Sequence, residues 1–203
     1  MLSFLVRHSN LLQPILRLSL LSVILLCGCP SPRPSPKSSV TDLNARSANP
    51  LRTAQSQPVV LLFVRTDCPV SNRYAPEMER LYRAYAPRHI SFWLIYPDAD
   101  TSTADIVKHK REYSLDIPAL RDAAHQLVRA AGATATPEAA VFLPGLTPLL
   151  AYRGRIDDRM ADFGKERPEA RERDLEDVLE AIAAGKKIAP RTTKAVGCYI
   201  SER

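Results

Sequence analysis

The chain switches hydrophobic period once, over a short distance, and that switch limits what it can fold into. Val59-Val60-Leu61-Leu62-Phe63-Val64 is an unbroken apolar run after Pro58. A run this short without alternation reads as a strand buried on both faces. Further on, Tyr74, Met78, Leu81, Tyr82 and Tyr85 recur at helical spacing, an apolar stripe against a charged face. Between the two lies Thr66-Asp67-Cys68-Pro69-Val70-Ser71-Asn72-Arg73. Pro69 suits the first position of a helix, where the missing N–H costs nothing. The pattern predicts a strand over Pro58 to Arg65 and a helix from Pro69 to about Ala86, with Cys68 at the turn between them. The first turn of a helix presents unpaired N–H groups and a partial positive charge, and both favour a thiolate. Asp67 opposes this if its carboxylate faces the sulfur. A free cysteine is also a good small hydrophobe, so the turn alone leaves Cys68 either reactive or simply packed.

The remainder alternates in the same style. Ile90 to Tyr96 reads as a second strand, ended by Pro97-Asp98, and Thr101 to Tyr113 as a second helix with a hydroxyl-rich cap and Asp105 in its first turn. Ile117 to Leu120 is a short extended piece, and Asp122 to Ala131 a helix closed by Gly132. Ala139 to Leu143 and Leu149 to Arg153, joined by a Pro- and Gly-containing turn, form a hairpin. A last helix runs from about Pro168 to Ala184, its stripe Leu175, Val178, Leu179 and Ile182, with Gly185 at its end. Strand, helix, strand, helix implies an α/β architecture with parallel pairing and crossover helices.

These residues resemble the thioredoxin-like superfamily, in particular the membrane-tethered periplasmic thiol–disulfide reductases and the redoxins of AhpC/TSA type. In that group a Cys-x-x-Cys stands at the strand-to-helix turn, with Ala-Pro following so that the Pro is eight residues after the first Cys. Ala75-Pro76 holds that offset from Cys68, while the second motif cysteine is replaced by Ser71. The resemblance covers roughly Pro58 to Gly185. It implies a three-layer fold with a central mixed β-sheet flanked by helices. It also implies a cis proline at Thr136-Pro137, packed beside the cysteine, with the preceding backbone open to strand addition. Thr66, Pro69, Ser71, Thr136 and Pro137 are then the supporting residues around Cys68. Tyr152-Arg153-Gly154-Arg155-Ile156-Asp157 is similar to the strand-end motif of the same group.

The segment before Pro58 has a different character. It holds 6 Lys+Arg against 1 Asp+Glu, whereas from Pro58 onward the counts are 22 and 21, so +5 of the net charge of +6 belongs to the leading segment and the rest is nearly neutral. The rest carries no basic stripe with interleaved aromatics, which argues against nucleic acid as a partner. Residues 1–28, with Arg7, Arg17 and the short apolar core Leu18 to Leu26, read as an export signal. Leu26-Cys27-Gly28-Cys29 resembles a bacterial lipobox, which implies lipidation at Cys29 and a place on the periplasmic face of a membrane. Residues 29–57, rich in Pro and Ser, read as a disordered tether. A domain over 58–187 and a tail over 188–203 complete the division.

That tail carries Cys198, within Ala195-Val196-Gly197-Cys198-Tyr199-Ile200, whose apolar flanks suggest that it docks. Ser71 cannot resolve a mixed disulfide. Cys68 therefore acts as a lone thiol or borrows Cys198, and some peroxiredoxins, which the chain resembles, keep a resolving cysteine in a C-terminal tail. His89, His109 and His125 are scattered, read as solvated or hydrogen-bonded residues, and show no zinc-like spacing. No cofactor and no metal are expected.

Three chemistries remain open from sequence. The first is an extracytoplasmic thiol–disulfide oxidoreductase acting on protein thiols or disulfides, with an external thiol reductant. The second is a peroxiredoxin-like peroxidase. By resemblance that needs Thr or Ser three residues before the cysteine and Pro four residues earlier, but Arg65 and Leu61 stand there and Thr66 is one residue too close. The third is a copper-binding protein of the same fold, in which Cys68 and Cys198, with Met160, would replace the missing Cys at Asn72.

Overall fold

A computed structural model of the chain describes residues 40–201. The expected signal segment, Cys27 and Cys29, the residue expected to be lipidated, lie outside the described residues.

In chain order the elements are β1 (Val40–Asp42), α1 (Pro50–Thr53), β2 (Val59–Phe63), α2 (Pro69–Tyr85), β3 (Ser91–Tyr96), α3 (Thr103–Glu112), β4 (Ala119–Asp122), α4 (Gln126–Ala131), β5 (Ala135–Thr136), β6 (Glu138–Leu143), β7 (Leu149–Gly154), β8 (Met160–Asp162), β9 (Lys165–Glu166), α5 (Asp174–Ala183), β10 (Arg191–Thr192) and β11 (Cys198–Tyr199). Seven strands form one mixed sheet in the order β1-β4-β3-β2-β6-β7-β10. The β2, β3 and β4 strands run parallel, and β6 and β7 close the other half antiparallel.

The uninterrupted apolar run is explained by β2's central place in the sheet. Val60, Leu62 and Val64 enter a core built with α2, Ile106 of α3 and Leu175, Val178 and Leu179 of α5. Val59, Leu61 and Phe63 enter the opposite core, against Leu127, Val128 and Ala131 of α4. Every β2 side chain is buried, as period-two alternation requires when both faces are covered. The result is helices, sheet and helices in three layers, the thioredoxin-like α/β arrangement expected from sequence.

Several expectations are corrected. Residues 40–57, expected as tether, are part of the fold. The β1 strand pairs antiparallel with β4, Val40 facing Asp122, and Val40 and Ala54 are buried. Asn49 caps α1 by accepting from the Leu51 N–H. Backbone pairing at a sheet edge needs no hydrophobic period, so composition concealed it. The tail is likewise not separate, since β10 adds parallel to β7 and β11 antiparallel to β5. The helix expected from Asp122 begins only at Gln126. Asp122 ends β4 instead, and its buried carboxylate accepts from the N–H groups of Gln126, Leu127 and Val128. Burial pushes that carboxyl above its ordinary range despite these bonds. The last helix begins at Asp174 rather than Pro168, and the small β8–β9 hairpin precedes it.

Candidate active site

Cys68 is the N-cap of α2, with extended backbone angles (φ −86°, ψ 111°), and Pro69 takes the first helical position. The cysteine sulfur occupies the place of a capping oxygen and accepts from the Ser71 N–H at 3.5 Å. Cys68 has no exposed surface. As a thiol it donates to the Thr136 carbonyl at 3.1 Å. Thr136 and Pro137 are joined by a cis peptide bond, so the β5–β6 corner is brought against the sulfur.

The antiparallel pairing of β11 with β5 sets Cys198 opposite Thr136 and Tyr199 opposite Ala135. Ile200 N–H donates to the Thr134 carbonyl at 3.0 Å, and the Thr136 hydroxyl to the Cys198 carbonyl at 3.4 Å. In this register Cys198 packs against the core that contains Cys68, close enough for each sulfur to shift the other's ionisation, and both thiols are free. The two cysteines lie 130 residues apart in the chain, yet strand pairing brings them together.

The electrostatics of the two sulfurs differ. Burial alone pushes the Cys68 thiol up. The Ser71 N–H bond, together with the nearby Cys198 thiol, Ser71 hydroxyl and Thr136, outweighs it, and the net value falls below the ordinary one. Cys198 moves the other way. Burial, its donation to Cys68 and the Cys68 charge push it up to about 12. Of the pair, Cys68 is shifted towards the thiolate and Cys198 towards the thiol. Ser71 is buried and its hydroxyl has no well-formed hydrogen bond. It lies near enough to the sulfur to favour the charge.

Asp67 turns away from the turn. Its carboxylate is gripped by Arg65 at 2.8 and 3.0 Å, and Arg65 also faces Asp98 at 3.5 Å. Thr66 contributes through its carbonyl, which accepts from Asn72 Nδ2 at 3.3 Å. Asn72 in turn accepts from His109 Nε2 at 2.9 Å, and His109 Nδ1 meets the Tyr96 hydroxyl at 2.9 Å. With Asn72 Nδ2 committed to Thr66, its oxygen faces His109, which sets Nε2 as the donor and leaves Nδ1 to accept from Tyr96. Burial keeps His109 neutral by lowering its pKa. This chain of hydrogen bonds ties the Cys68 turn to β3 and α3.

Two further residues were not singled out from sequence. Glu138, next to Pro137 and buried, accepts from the Thr134 and Ala135 N–H groups at 2.7 and 3.0 Å and faces Arg153 at 3.5 Å. It fixes β5 from the side that β11 leaves free. At Gly197 an added Cβ would stand 2.0 Å from the Thr136 carbonyl oxygen and 2.7 Å from its carbon, so the tail backbone lies directly on the Thr136–Pro137 peptide. The Val-Gly-Cys sequence was the available signal, in a chain with 7 glycines.

Asn72 is committed to His109 and Thr66, and Met160 is packed into the core beside Tyr74. Among the described residues no group of three or more His, Cys, Asp or Glu side chains stands close enough to hold a metal ion.

A buried thiol at the N-terminus of a helix, set against a cis proline just before the interior strand β6 of a mixed sheet, defines a thioredoxin-like redoxin. The sequence profile of the AhpC/TSA family matches residues 34–152. The chain belongs to that family. No curated protein matches the sequence. Among solved structures, an uncharacterised conserved protein from Geobacillus kaustophilus superposes with a TM-score of 0.66 at 21% identity, covering 83% of this chain and 89% of that one. A hypothetical protein from Sinorhizobium meliloti 1021 gives 0.64 at 19% identity, covering 79% and 88%. A secreted disulfide oxidoreductase from Mycobacterium tuberculosis, described as homologous to E. coli DsbE, gives 0.50 at 17% identity, covering 71% and 93%. These likenesses concern the fold.

Proposed function

We propose that the protein is an extracytoplasmic thiol–disulfide oxidoreductase in which Cys68 attacks and Cys198 resolves. The observation that carries this reading is the pairing of β11 with β5, which sets Cys198 opposite Thr136, the residue whose carbonyl accepts from the Cys68 thiol. The Cys68 thiolate attacks one sulfur of a substrate disulfide. A Cys68–substrate disulfide forms, and the second substrate sulfur leaves as a thiolate that takes a proton from solvent. Loss of the Cys68 negative charge removes one of the causes that keep Cys198 protonated. Cys198 then gives up its proton and attacks Cys68. The Cys68–Cys198 bond forms, the substrate sulfur leaves, and the substrate has gained two electrons. An external thiol reductant restores both cysteines. Run in reverse, the same exchange oxidises a dithiol.

Cys29 lipidation and a periplasmic, membrane-anchored position belong to this reading and rest on the leading sequence. A peroxide substrate is less well supported. Among the described residues no arginine hydrogen-bonds the Cys68 sulfur, and Arg65 is committed to Asp67 and Asp98.

The test is acid-quenched mass spectrometry of the reduced protein mixed with oxidised glutathione and, separately, with hydrogen peroxide. Wild type is expected to form a Cys68–Cys198 bridge with glutathione disulfide, and the Cys198→Ser chain to stop at a Cys68–glutathione adduct. Absence of both products contradicts the proposal. A bridge formed far faster with peroxide transfers the site to peroxidase chemistry.

A further inference from the structure

The same contacts that bring Cys198 to Cys68 also close the site. Cys68 has no exposed surface, so an incoming sulfur cannot reach it while every neighbour stays in place. Of the segments around it, the tail is attached by the least. Beyond Thr193, residues 194–201 are exposed or half-buried. They are held by the two-residue β11, the Ile200 bond to Thr134, the 3.4 Å Thr136–Cys198 contact and the packing of half-buried Val196, Cys198 and Ile200 against the cores.

Thr193 itself is fixed. Its hydroxyl meets the Tyr152 hydroxyl at 2.7 Å and accepts from the Arg155 N–H at 3.2 Å, and its N–H donates to the Arg153 carbonyl at 3.0 Å. The firm anchor therefore ends one residue before Lys194-Ala195-Val196, and the segment that covers Cys68 begins just after it. The seat on the other side is independent of the tail, because Glu138 and Arg153 hold β5 from its far edge. If the tail lifts, its landing surface keeps its form.

We infer that residues 194–201 are a gate pivoting beyond Thr193, and that Gly197 is the positioning residue that seats it on the Thr136–Pro137 peptide. Seated, the gate covers Cys68 and holds Cys198 against it. Lifted, it admits the substrate sulfur, and its return delivers Cys198 for resolution. The inference rests on the proposed role of Cys68 as nucleophile. It adds that attack and resolution demand opposite positions of one segment. Any residue larger than glycine at 197 pushes a carbon into backbone atoms that cannot turn aside, which shifts the gate towards the lifted position.

The experiment compares three reduced chains: full-length wild type, full-length Gly197→Ala, and one ending at Lys194. Each is mixed with oxidised glutathione at increasing concentration and quenched with acid, and adducts at Cys68 are located by peptide mapping. In wild type the rate of Cys68 adduct formation is expected to level off at high glutathione disulfide, because opening becomes limiting. In Gly197→Ala, attack should quicken and conversion of the adduct to the Cys68–Cys198 bridge should slow, each by roughly tenfold. In the shortened chain attack should show no plateau and the adduct should persist. A purely structural role for Gly197 would not move the two steps in opposite directions. Equal Cys68 reactivity in all three chains overturns the gate and leaves the nucleophile standing. So does a parallel slowing of both steps in Gly197→Ala while the shortened chain reacts as wild type does. An inert Cys68 even in the shortened chain removes the nucleophile and the gate together.

Discussion

The two halves of the cysteine pair are built by different means. Cys68 stands where β2 meets α2, at the centre of the sheet, and its position is set by the packing of both cores. Cys198 stands on a two-residue strand at the periphery, set by a hydroxyl clamp at Thr193 and a glycine fit at Gly197. Moving Cys68 means repacking the domain. Moving Cys198 means breaking a few backbone bonds and lifting the half-buried Val196, Cys198 and Ile200 off the cores. Segments with few buried apolar contacts open at a small fraction of the global unfolding free energy. The contrast separates a fixed nucleophile from a mobile partner, a useful division for two thiols that must be together in one step and apart in the other.

The largest expected break in this comparison comes from Cys198→Ala. The adduct at Cys68 loses its internal resolver, so turnover with a disulfide substrate and thiol reductant should fall roughly a hundredfold, while formation of the first adduct continues. The same variant removes a hydrogen-bond donor from the Cys68 sulfur. The pH midpoint of Cys68 alkylation should therefore rise relative to wild type, whose thiol is held below the ordinary value of 9.0. For stability the signs oppose. The Cys68 contribution is fully present above the ordinary thiol value and is lost as pH falls through the depressed folded value. The Cys198 contribution is present below pH about 9 and is lost as pH rises towards about 12. Denaturant melts across this range should show stability rising and then falling. A flat profile contradicts the coupling.

A smaller effect is expected from Gly154→Ala, which sharpens the tail side. Gly154 has φ +149°, and an added Cβ would stand 2.2 Å from the Thr193 hydroxyl and 2.5 Å from its carbonyl oxygen. The clamp should loosen, lowering stability by about 1–3 kcal/mol, with Cys68 alkylated faster at fixed pH. Unchanged alkylation would mean that the anchor at Thr193 does not govern access.

Asn72→Ala probes the fixed side and should act least on access. It leaves the His109 Nε2–H and the Thr66 carbonyl without their partner, at a cost of about 1–3 kcal/mol. Equilibrium unfolding should report the loss while the plateau in Cys68 labelling stays. A large gain in labelling would show that the turn, rather than the tail, limits entry.

The same contrast explains what the sequence made legible. The β2 run, the α2 stripe and the capping place of Cys68 are local patterns, each legible in a few adjacent residues, while the corner at Thr136-Pro137 follows from the family resemblance. The docking of the tail was suggested by the apolar residues around Cys198, but its register was not. Strands such as β10 and β11 are two residues long and pair through the backbone, which leaves no periodicity to read. The same holds for β1, hidden in a segment whose Pro and Ser content reads as tether. Glu138 looked like an ordinary charged residue at a strand start, because its partners are backbone N–H groups rather than a basic side chain at a telling distance. Asn72 and His109 are 37 positions apart, and nothing in either neighbourhood announces the other. At Gly197 the reason for glycine is a contact with Thr136, visible only once both are in place.

The most direct test of the cysteine pair is a redox titration of the full-length protein in glutathione buffers, read by mass spectrometry at Cys68 and Cys198. The two thiols should disappear together as one two-electron couple, giving a Cys68–Cys198 disulfide and little glutathione adduct at either sulfur. Independent titration, with Cys68 accumulating glutathione while Cys198 stays free in the wild-type chain, would contradict the pairing of the two cysteines as one redox centre.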